Sequence, residues 1–232
     1  MAAFETTALN KSKDNSAPIR ESSVFFGEEP GRLGSLVDRL AAGVLLALSS
    51  PVIAVSALTL MAWSRRSPFI AHLRVGRHGK RLWVWKLRTM WDPWPPASFE
   101  RGWVERVVAE PTGDRKAPVN PRVSNWFAAF CRRHSIDELP QFWHVLRGDM
   151  SIIGPRPLTS SELARYYGQH LHELLSVKPG LTGVWQTQGR STLDWHKRVM
   201  LDLEMVHRRS LRLYITILIR TVGGIISGKG AW

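Results

Sequence analysis

The longest apolar stretch in the chain covers residues 40–64, which include no charged side chain. A straight helix of these 25 residues would be about 37 Å long, whereas the hydrocarbon core of a bilayer is about 30 Å thick. The pattern therefore predicts a helix that enters the membrane. Its default arrangement is a transmembrane span.

Ser50 and Pro51 lie near the middle of this stretch and divide it into two arms. Each arm would be about 16–21 Å long as a helix, enough to reach about the midplane of the bilayer. Proline removes a backbone donor and bends a helix, so a kinked, re-entrant helix is the alternative to a span. Basic residues flank both ends of the stretch, which fits two cytoplasmic ends. They are Arg32, Arg39, Arg65, Arg66, Arg74 and Arg77.

Shorter patterns predict a mixed α+β domain after the membrane helix. Residues 68–88 predict a β-hairpin, because turn residues separate two β-prone runs. We expect a short helix over residues 99–109, and a loop rich in tryptophan and proline over residues 91–96 that rests on the membrane interface. Residues 1–35 are polar without helical periodicity, which predicts a flexible tail.

The second half of the chain is predicted to be mainly helical. Apolar residues at helical spacing predict helices over residues 126–131, 139–146, 160–177 and 193–226, with a loop at 148–157. Ser160 or Ser161 is the expected cap of the third of these helices. Arginines accompany the apolar pattern at residues 210–219, a segment too short and too charged to span a bilayer. We expect it to form an amphipathic helix, either in the membrane interface or packed on the domain.

Charge and composition narrow the possible partners. The net charge is +13, and the first 39 residues carry five basic and six acidic side chains, so the excess belongs to the body. A basic body with eleven tryptophans suits phosphorylated substrates, acidic lipid headgroups or nucleic acid. The single cysteine, Cys131, excludes an internal disulfide and suits a reducing compartment.

Two adjacent carboxylates, Asp137 and Glu138, stand among arginines, and a loop rich in glycine and proline that carries Arg156 follows them. Carboxylates hold Mg²⁺ or attack phosphorus, and arginines bind phosphate oxygens through two hydrogen bonds, so this set predicts a phosphate-chemistry site. A structural interpretation stands beside it, because Ser135 and Glu138 also fit the capping box of a helix. The two interpretations are compatible, since a helix N-terminus itself attracts anions.

Several longer motifs carry a family resemblance. They are Ser-Ile-Asp-Glu-Leu-Pro-Gln at 135–141, Gly-Asp-Met-Ser-Ile-Ile-Gly-Pro-Arg-Pro at 148–157, Lys-Pro-Gly-Leu-Thr-Gly at 178–183 and, upstream, Lys-Leu-Arg-Thr-Met at 86–90. In this order they closely resemble the bacterial sugar transferases, the monotopic polyprenol-phosphate phosphoglycosyl transferases. The resemblance runs from about residue 36 to the C-terminus. It implies a re-entrant membrane helix at residues 36–66, kinked at Ser50 and Pro51, and a cytoplasmic catalytic domain at residues 67–232.

The resemblance also implies the roles of the candidate site residues. Asp137 would attack the β-phosphorus of a nucleoside-diphosphate sugar, and Glu138 would assist, either by binding Mg²⁺ together with Asp137 or by deprotonating the acceptor. The implied phosphate-binding residues are Lys86, Arg88, Arg132, Arg156 and Arg190. His144 and Tyr214 stand where the family commonly has asparagine and aspartate. We expect His144 to be a packed side chain.

The implied reaction transfers a sugar-1-phosphate to undecaprenyl phosphate or another polyprenol phosphate, through a covalent aspartyl intermediate, with release of a nucleoside monophosphate. It would initiate a bacterial surface glycan at the cytoplasmic face of the inner membrane, where the protein would contact phospholipids. A homo-oligomer is possible under this interpretation, and no nucleic-acid partner is expected. The competing hypothesis is a membrane-tethered basic protein that binds nucleic acid or anionic lipid without catalysis. Asp137 and Glu138 count against it, because carboxylates repel phosphates unless a cation intervenes. A third hypothesis is an inactive family member that acts as an assembly partner.

Overall fold

The computed structural model describes residues 32–90, 99–100, 104–107, 123, 125–189 and 192–228, which form an α+β fold as predicted. The helices are α1 (Arg32–Ser64), α2 (Trp126–Arg133), α3 (Phe142–Arg147), α4 (Ser160–Tyr166), α5 (Leu171–Leu175), α6 (Val184–Gln188), α7 (Trp195–His207) and α8 (Leu211–Ser227). The strands are β1 (Phe69–Val75), β2 (Arg81–Leu87), β3 (Phe99–Glu100), β4 (Val104–Val107), β5 (Ser151–Ile153) and β6 (Gly180–Thr182). The predicted loop at 91–96 and nearly all of the predicted tail lie outside the described residues.

The predicted hairpin is confirmed. Strands β1 and β2 pair antiparallel, with Phe69 opposite Leu87 and Ala71 opposite Trp85. Gly79 closes the connection between them with a φ of +75°, in the left-handed region that glycine adopts without a steric penalty. Strand β2 is one edge of a four-stranded sheet whose order is β2-β1-β4-β3. One side of β2 is therefore open to contact by helices from the second half of the chain.

The helix predicted over residues 99–109 is wrong, because this part of the chain contains β3 and β4. Strand β4 pairs parallel to β1, with Ile70 opposite Glu105. Glu105 and Val107 are buried in this arrangement. The pairing is a tertiary contact between segments more than 30 residues apart. Such contacts outweigh the weak local preference of a four-residue strand.

Helix α1 continues past Pro51 as one element of 33 residues. Pro51 has no amide hydrogen, so the carbonyl of Ala47 loses its usual helical partner. The hydroxyl of Ser50 donates to that carbonyl at 2.8 Å, and the hydroxyl of Ser49 donates to the carbonyl of Leu46 at 3.3 Å. The two serines therefore supply hydrogen bonds to the helix at the point where the proline withholds one.

Both arms of α1 bury side chains against the rest of the described fold, whereas the middle of the helix buries none fully. Asp38 and Ala42 in the first arm are buried, and so are Ala57 and Leu60 in the second. None of residues 44–55 is buried, and none is charged. By length and composition α1 is able to cross a membrane. The helix thus offers an exposed, uncharged section between two attached ends.

The first arm of α1 is attached through a buried carboxylate. Asp38 accepts hydrogen bonds from the hydroxyls of Ser151 and Tyr214 and from the backbone N–H of Ile152. An unpaired carboxylate in this position would cost several kcal/mol, so these three donors fix α1 to β5 and α8. Tyr214 therefore has a structural role at a position where the resemblance leads us to expect an aspartate.

The second arm of α1 is attached by apolar packing against β2 and α2. The cluster consists of Ala57, Leu60, Leu87 and Ala128, with Ile53, Phe69, Val123, Phe127 and Ile136 packed around it. Leu60 and Ala128 are fully buried. Burying a leucine side chain contributes about 1.5–3 kcal/mol relative to leaving it in water. This arm is consequently fixed beside the segment that carries the candidate carboxylates.

The second half of the chain is helical as predicted, with shorter elements than the pattern indicates. Residues 160–177 divide into α4 and α5, joined by the 3₁₀ turn Gly168–His170. Thr159, immediately before the predicted cap, is the N-cap of α4 and forms a capping box with Glu162. The loop predicted at 148–157 contains β5, which pairs parallel to β6.

Helix α8 carries an exposed apolar stripe at helical spacing. The stripe consists of Leu211, Ile215, Ile219, Val222 and Ile226, which are between 48% and 75% exposed. The amphipathic helix predicted in this part of the chain is confirmed. Its position in the membrane interface stays a prediction.

Candidate functional site

Asp137 and Glu138 lie on a 3₁₀ segment, Ile136–Gln141, that connects α2 to α3 and packs against β2 and α1. Ser135 precedes it with a φ of +55°, in the left-handed region. This conformation costs about 1–2 kcal/mol for a residue with a Cβ atom, so local strain accompanies the reversal of the chain after α2. Ser135 makes no side-chain cap, and the capping-box interpretation is therefore wrong here.

Asp137 is a buried carboxylate, with 6% of its surface exposed. Burial, together with repulsion from Glu138, raises the pKa of Asp137 to about 6 against the attraction of Lys86 and Arg132. A carboxylate with a raised pKa is more basic than a free aspartate but still mostly ionised at neutral pH. Its surroundings thus make the Asp137 carboxylate a less stable and more basic anion than a free aspartate, as suits a nucleophile.

Glu138 forms an ion pair with Lys86 across the boundary between the 3₁₀ segment and β2. The Nζ of Lys86 donates to Oε1 of Glu138 at 2.7 Å, with the two side chains 21% and 31% exposed. Both residues line a small cleft whose wall also includes Gln141 and Arg156. Glu138 is therefore more accessible than Asp137 and faces the cleft directly.

Two of the predicted arginines accompany the carboxylates. Arg156 lines the same cleft from the loop between β5 and α4, and its guanidinium carbon lies 6.0 Å from the centre of the Trp185 ring. That contact is a cation–π interaction that restrains the arginine. Arg132, on α2, lies close enough to Asp137 to lower its pKa. The residues that the structure brings together are Lys86, Arg132, Asp137, Glu138 and Arg156.

Arg88 is placed differently from the other predicted phosphate ligands. It is 6% exposed, forms an ion pair with Glu105 on β4, and donates through Nε to the carbonyl of Ser67 at 2.9 Å. Burial and, to a smaller degree, repulsion from Arg66 lower the pKa of Arg88 to about 10. Arg88 thus links the end of β2 to β4. The predicted binding of phosphate by Arg88 stays a prediction, and it would require the guanidinium to leave Glu105. The other predicted ligand, Arg190, lies outside the described residues.

Gln141 is a cleft residue to which the sequence pattern assigned no role. It is 4% exposed, and its amide nitrogen has no hydrogen-bond partner among the described residues. An unsatisfied buried donor costs about 1–3 kcal/mol, so an oxygen of a bound ligand is a suitable partner for it. The available signal was its place at the end of the Ser-Ile-Asp-Glu-Leu-Pro-Gln motif. His144 is packed as expected, because Nε2 of its buried ring accepts a hydrogen bond from the backbone N–H of Trp85 at 3.2 Å.

A buried polar network that includes Asp202 on α7 lies near Arg156. Asp202 has no exposed surface and accepts a hydrogen bond from the hydroxyl of Tyr167 at 2.7 Å. Burial raises the pKa of Asp202 to about 7, although the Tyr167 hydrogen bond and the charge of Arg156 act in the opposite direction. Trp185 links the two parts, because the guanidinium carbon of Arg198 lies 4.9 Å from the ring that Arg156 also contacts. No motif in the sequence marks this network.

Magnesium binding by Asp137 and Glu138 stays a prediction. Mg²⁺ is commonly bound by one or two carboxylates, with water and substrate phosphates as the remaining ligands. Within the part of the chain that the structure describes, no group of three or more His, Cys, Asp or Glu side chains is arranged to hold a metal. A magnesium ion bound by these two carboxylates would therefore need phosphate oxygens or water as its other ligands.

Comparison with known proteins places these residues in a family. The sequence profile of the bacterial sugar transferases matches residues 31–228. A UDP-galactose-lipid carrier transferase of Erwinia amylovora is 38% identical over 167 residues, which cover 72% of this chain and 35% of the relative. The undecaprenyl-phosphate galactose phosphotransferase of Salmonella typhimurium is 37% identical over 174 residues, covering 69% and 34% of the two chains. The exopolysaccharide production protein ExoY of Rhizobium meliloti is 33% identical over 226 residues, covering 94% and 99%.

The chain belongs to the bacterial sugar transferase family, and the resemblance inferred from its motifs is confirmed. It spans about a third of the length of the Erwinia and Salmonella relatives and nearly all of ExoY. The matched region contains every described candidate residue, from Lys86 to Arg156. The part shared with the longer relatives is therefore the part that carries the cleft.

We predict that Asp202→Asn flattens the pH dependence of stability. Asp202 binds its proton more tightly in the folded protein, with a pKa of about 7 against 3.8 for a free aspartate. The folded state is therefore favoured at low pH and loses about 4 kcal/mol of this contribution as the pH rises from 4 to 8. Thermal unfolding of the protein in detergent across this range should show a steeper decline in wild type than in the variant.

A matched control for this measurement is Glu204→Gln on the same helix. Glu204 is 53% exposed and pairs with Arg208, so its neutralisation should leave the decline with pH unchanged. Parallel curves for wild type and Asp202→Asn would show that Asp202 does not hold its proton in the folded state.

Proposed function

We propose that this protein transfers a sugar-1-phosphate from a nucleoside-diphosphate sugar to undecaprenyl phosphate or a similar polyprenol phosphate. The observation that carries the proposal is the buried Asp137 beside Glu138, within the field of Lys86 and Arg132. The names of two relatives describe a lipid carrier and undecaprenyl phosphate as participants, which supports this acceptor class. ExoY is named for exopolysaccharide production, and we place the reaction at the first step of a bacterial surface glycan.

The proposed chemistry proceeds in two displacements at one phosphorus atom. An oxygen of Asp137 attacks the β-phosphorus, a bond forms between them, and the bond from that phosphorus to the bridging oxygen breaks. The electron pair leaves with that oxygen on the nucleoside monophosphate. A phosphate oxygen of the polyprenol phosphate then attacks the same phosphorus and releases Asp137. The products are the polyprenyl-diphosphosugar and the monophosphate, and a covalent intermediate of this kind predicts ping-pong kinetics.

The basic residues around the cleft are suited to neutralise the negative charge of the two proposed substrates. Both substrates are anionic, so an attacking carboxylate needs neutralising groups close to the phosphate oxygens. Arg156 lines the cleft and contacts the Trp185 ring, and Lys86 lines the same cleft and pairs with Glu138. Mg²⁺ held by Asp137 and Glu138 would supply further neutralisation of the phosphate oxygens. Glu138 is the more exposed carboxylate and is suited to accept a proton from the incoming lipid phosphate.

The attachment of α1 supports a monotopic arrangement. Asp38 near its start and Leu60 near its end both pack on the fold that carries Asp137, so both ends belong on the same side of the membrane. Residues 44–55, none of which is buried, are then the section that enters the bilayer and returns. Trp63 and Trp126 are 50% and 73% exposed where α1 meets α2, and tryptophan favours the membrane interface. We place the catalytic domain on the cytoplasmic face of the inner membrane.

Asp137→Asn should abolish turnover while leaving the protein folded and bound to the membrane. Asparagine preserves the size of the side chain but is a far weaker nucleophile than a carboxylate, so no phosphosugar adduct should form. The assay measures nucleoside monophosphate released from a panel of nucleotide sugars with polyprenol phosphate and Mg²⁺. Intact-protein mass after incubation with donor alone detects the adduct.

Asp149→Asn is the control for this substitution, because Asp149 pairs with Arg147 outside the cleft and should retain activity. Asp137→Asn activity within about tenfold of wild type, a barrier change of about 1.4 kcal/mol, would remove Asp137 from the role of nucleophile.

Arg156→Ala should lower kcat/KM by at least about 30-fold, equivalent to about 2 kcal/mol of lost transition-state stabilisation. Arg156→Lys should recover part of the loss, because lysine keeps the charge but lacks the planar pair of donors. Arg208→Ala is the matched control, since Arg208 is 79% exposed and pairs with Glu204 away from the cleft. Equal kcat/KM values for the two alanine variants would show that Arg156 does not stabilise the transition state.

The topology predicts that cysteines at positions 22 and 191 are both protected from a membrane-impermeant thiol reagent in sealed spheroplasts. The test uses Ser22→Cys and Ser191→Cys separately in a Cys131→Ser background. Replacing Ser50 and Pro51 with alanine and leucine should straighten α1 and expose position 22 in part of the population. Strong labelling at 22 and none at 191 in protein with the native Ser50 and Pro51 would instead indicate a transmembrane span.

A further inference from the structure

A second and larger cleft lies on the opposite face of the four-stranded sheet from the catalytic cleft. Its volume is about 800 Å³, and β2, the hairpin turn, α3 and the segment before β6 form its wall. It shares no lining residue with the catalytic cleft. Along β2, Lys86 and Val84 face the catalytic cleft, whereas the alternate residues Trp83 and Trp85 line the larger one. Nothing in the proposed transfer reaction uses this second cleft.

The lining of the larger cleft is strongly basic. Its cationic side chains are Arg77, Lys80, Arg81, Arg106, Arg147 and Lys178. Asp149 is the one carboxylate among the lining residues that the structure describes, and it pairs with Arg147 at 3.2 Å. Six cationic side chains around one cavity concentrate anions from solution. The cleft therefore fits a ligand with at least one phosphate group.

Two of these cations are held in place by the fold. Arg77 donates through Nε to the carbonyl of Ser176 at 2.9 Å, and Lys178 donates to the hydroxyl of Ser35 at 3.2 Å. A side chain that is already restrained loses less entropy when it binds a ligand. The cleft is thus preorganised for an anion.

Tryptophans line the same cleft. Trp83 and Trp85 come from β2, and Trp143, which is 40% exposed, comes from α3. The guanidinium carbon of Arg106 lies 5.6 Å from the centre of the Trp83 ring. Tryptophan beside arginine and lysine is the combination that membrane proteins place at the level of lipid headgroups.

The position of the cleft beside α1 favours a membrane lipid over a soluble molecule as the source of the phosphate. Lys178 contacts Ser35 in the first turns of α1, and the guanidinium of Arg39 lies against Gly148, which also lines the cleft. The uncharged stretch of α1 begins at the next residue, Leu40. The cleft consequently opens beside the point where α1 enters the bilayer, if the proposed monotopic arrangement holds.

We propose that this cleft binds the phosphate headgroup of an anionic phospholipid and so anchors the domain beside the first arm of α1. The ligand would contribute its phosphate to the arginines and its glycerol region to the tryptophans. The proposal rests on the proposed membrane insertion of α1 but not on the transfer chemistry. Asp137→Asn protein should therefore bind the lipid as wild type does.

The test is native mass spectrometry of the full-length protein in a nonionic detergent, with phosphatidylglycerol or phosphatidylcholine added at equal concentration. Wild type and Asp137→Asn should each retain phosphatidylglycerol at least about fivefold more than phosphatidylcholine. The triple variant Arg77→Gln, Arg81→Gln and Arg106→Gln should lose this preference. The matched control is the triple variant Arg208→Gln, Arg212→Gln and Arg220→Gln, which removes the same number of charges from α8 and the residues just before it. This control should keep the preference for phosphatidylglycerol.

Three results would overturn the proposal. They are retention of the preference in the cleft variant, an equal loss in the control variant, and displacement of phosphatidylglycerol by a soluble nucleoside diphosphate at millimolar concentration. The last would identify a free phosphate ligand as the occupant. If the triple variant does not fold, the double variant Lys80→Gln and Arg81→Gln changes two exposed side chains and should reduce the preference. An undiminished preference in that folded double variant would also overturn the proposal.

Discussion

The attachment of α1 at both of its ends is the constraint on which the rest of the molecule depends. A buried carboxylate, Asp38, joins the first arm to β5 and α8, and a leucine-centred core around Leu60 joins the second arm to β2 and α2. The segment with Asp137 packs against the same helix. Any insertion of α1 into a bilayer therefore sets the height of the carboxylates above the lipid. In the proposed reaction the lipid-linked phosphate and the water-soluble nucleotide sugar would meet at that height.

The electrostatics of the cleft depend on burial as much as on charge. Asp137 is deprived of water and lies beside a second carboxylate, which raises its pKa, while Lys86 and Arg132 keep it largely ionised at neutral pH. The Trp185 ring contacts the Arg156 guanidinium, whose charge also lowers the pKa of the buried Asp202 that Tyr167 hydrogen-bonds. The surroundings of Arg156 thus come from α6 and α7, which follow it in the chain.

Strand β2 separates two basic environments because its side chains alternate between two sides of the sheet. Lys86 and Val84 face the small cleft with the carboxylates, and Trp83 and Trp85 face the large one. A shift of one residue in the pairing of β1 with β2 would exchange the two sets. The register fixed by the hairpin turn is consequently a requirement for both the proposed chemistry and the proposed lipid contact.

Local patterns in the sequence determined the uncharged length of α1, the hairpin, the amphipathic α8 and the motif that carries Asp137 and Glu138, because each depends on neighbouring residues. The tertiary structure alone decided how these parts meet. It paired β4 with β1, which placed Glu105 against Arg88, and it set Asp202 behind Arg156. Such contacts join segments that no periodicity connects. The charge of an arginine can be read from the sequence, whereas the partner that holds it depends on which distant carboxylate the fold brings near.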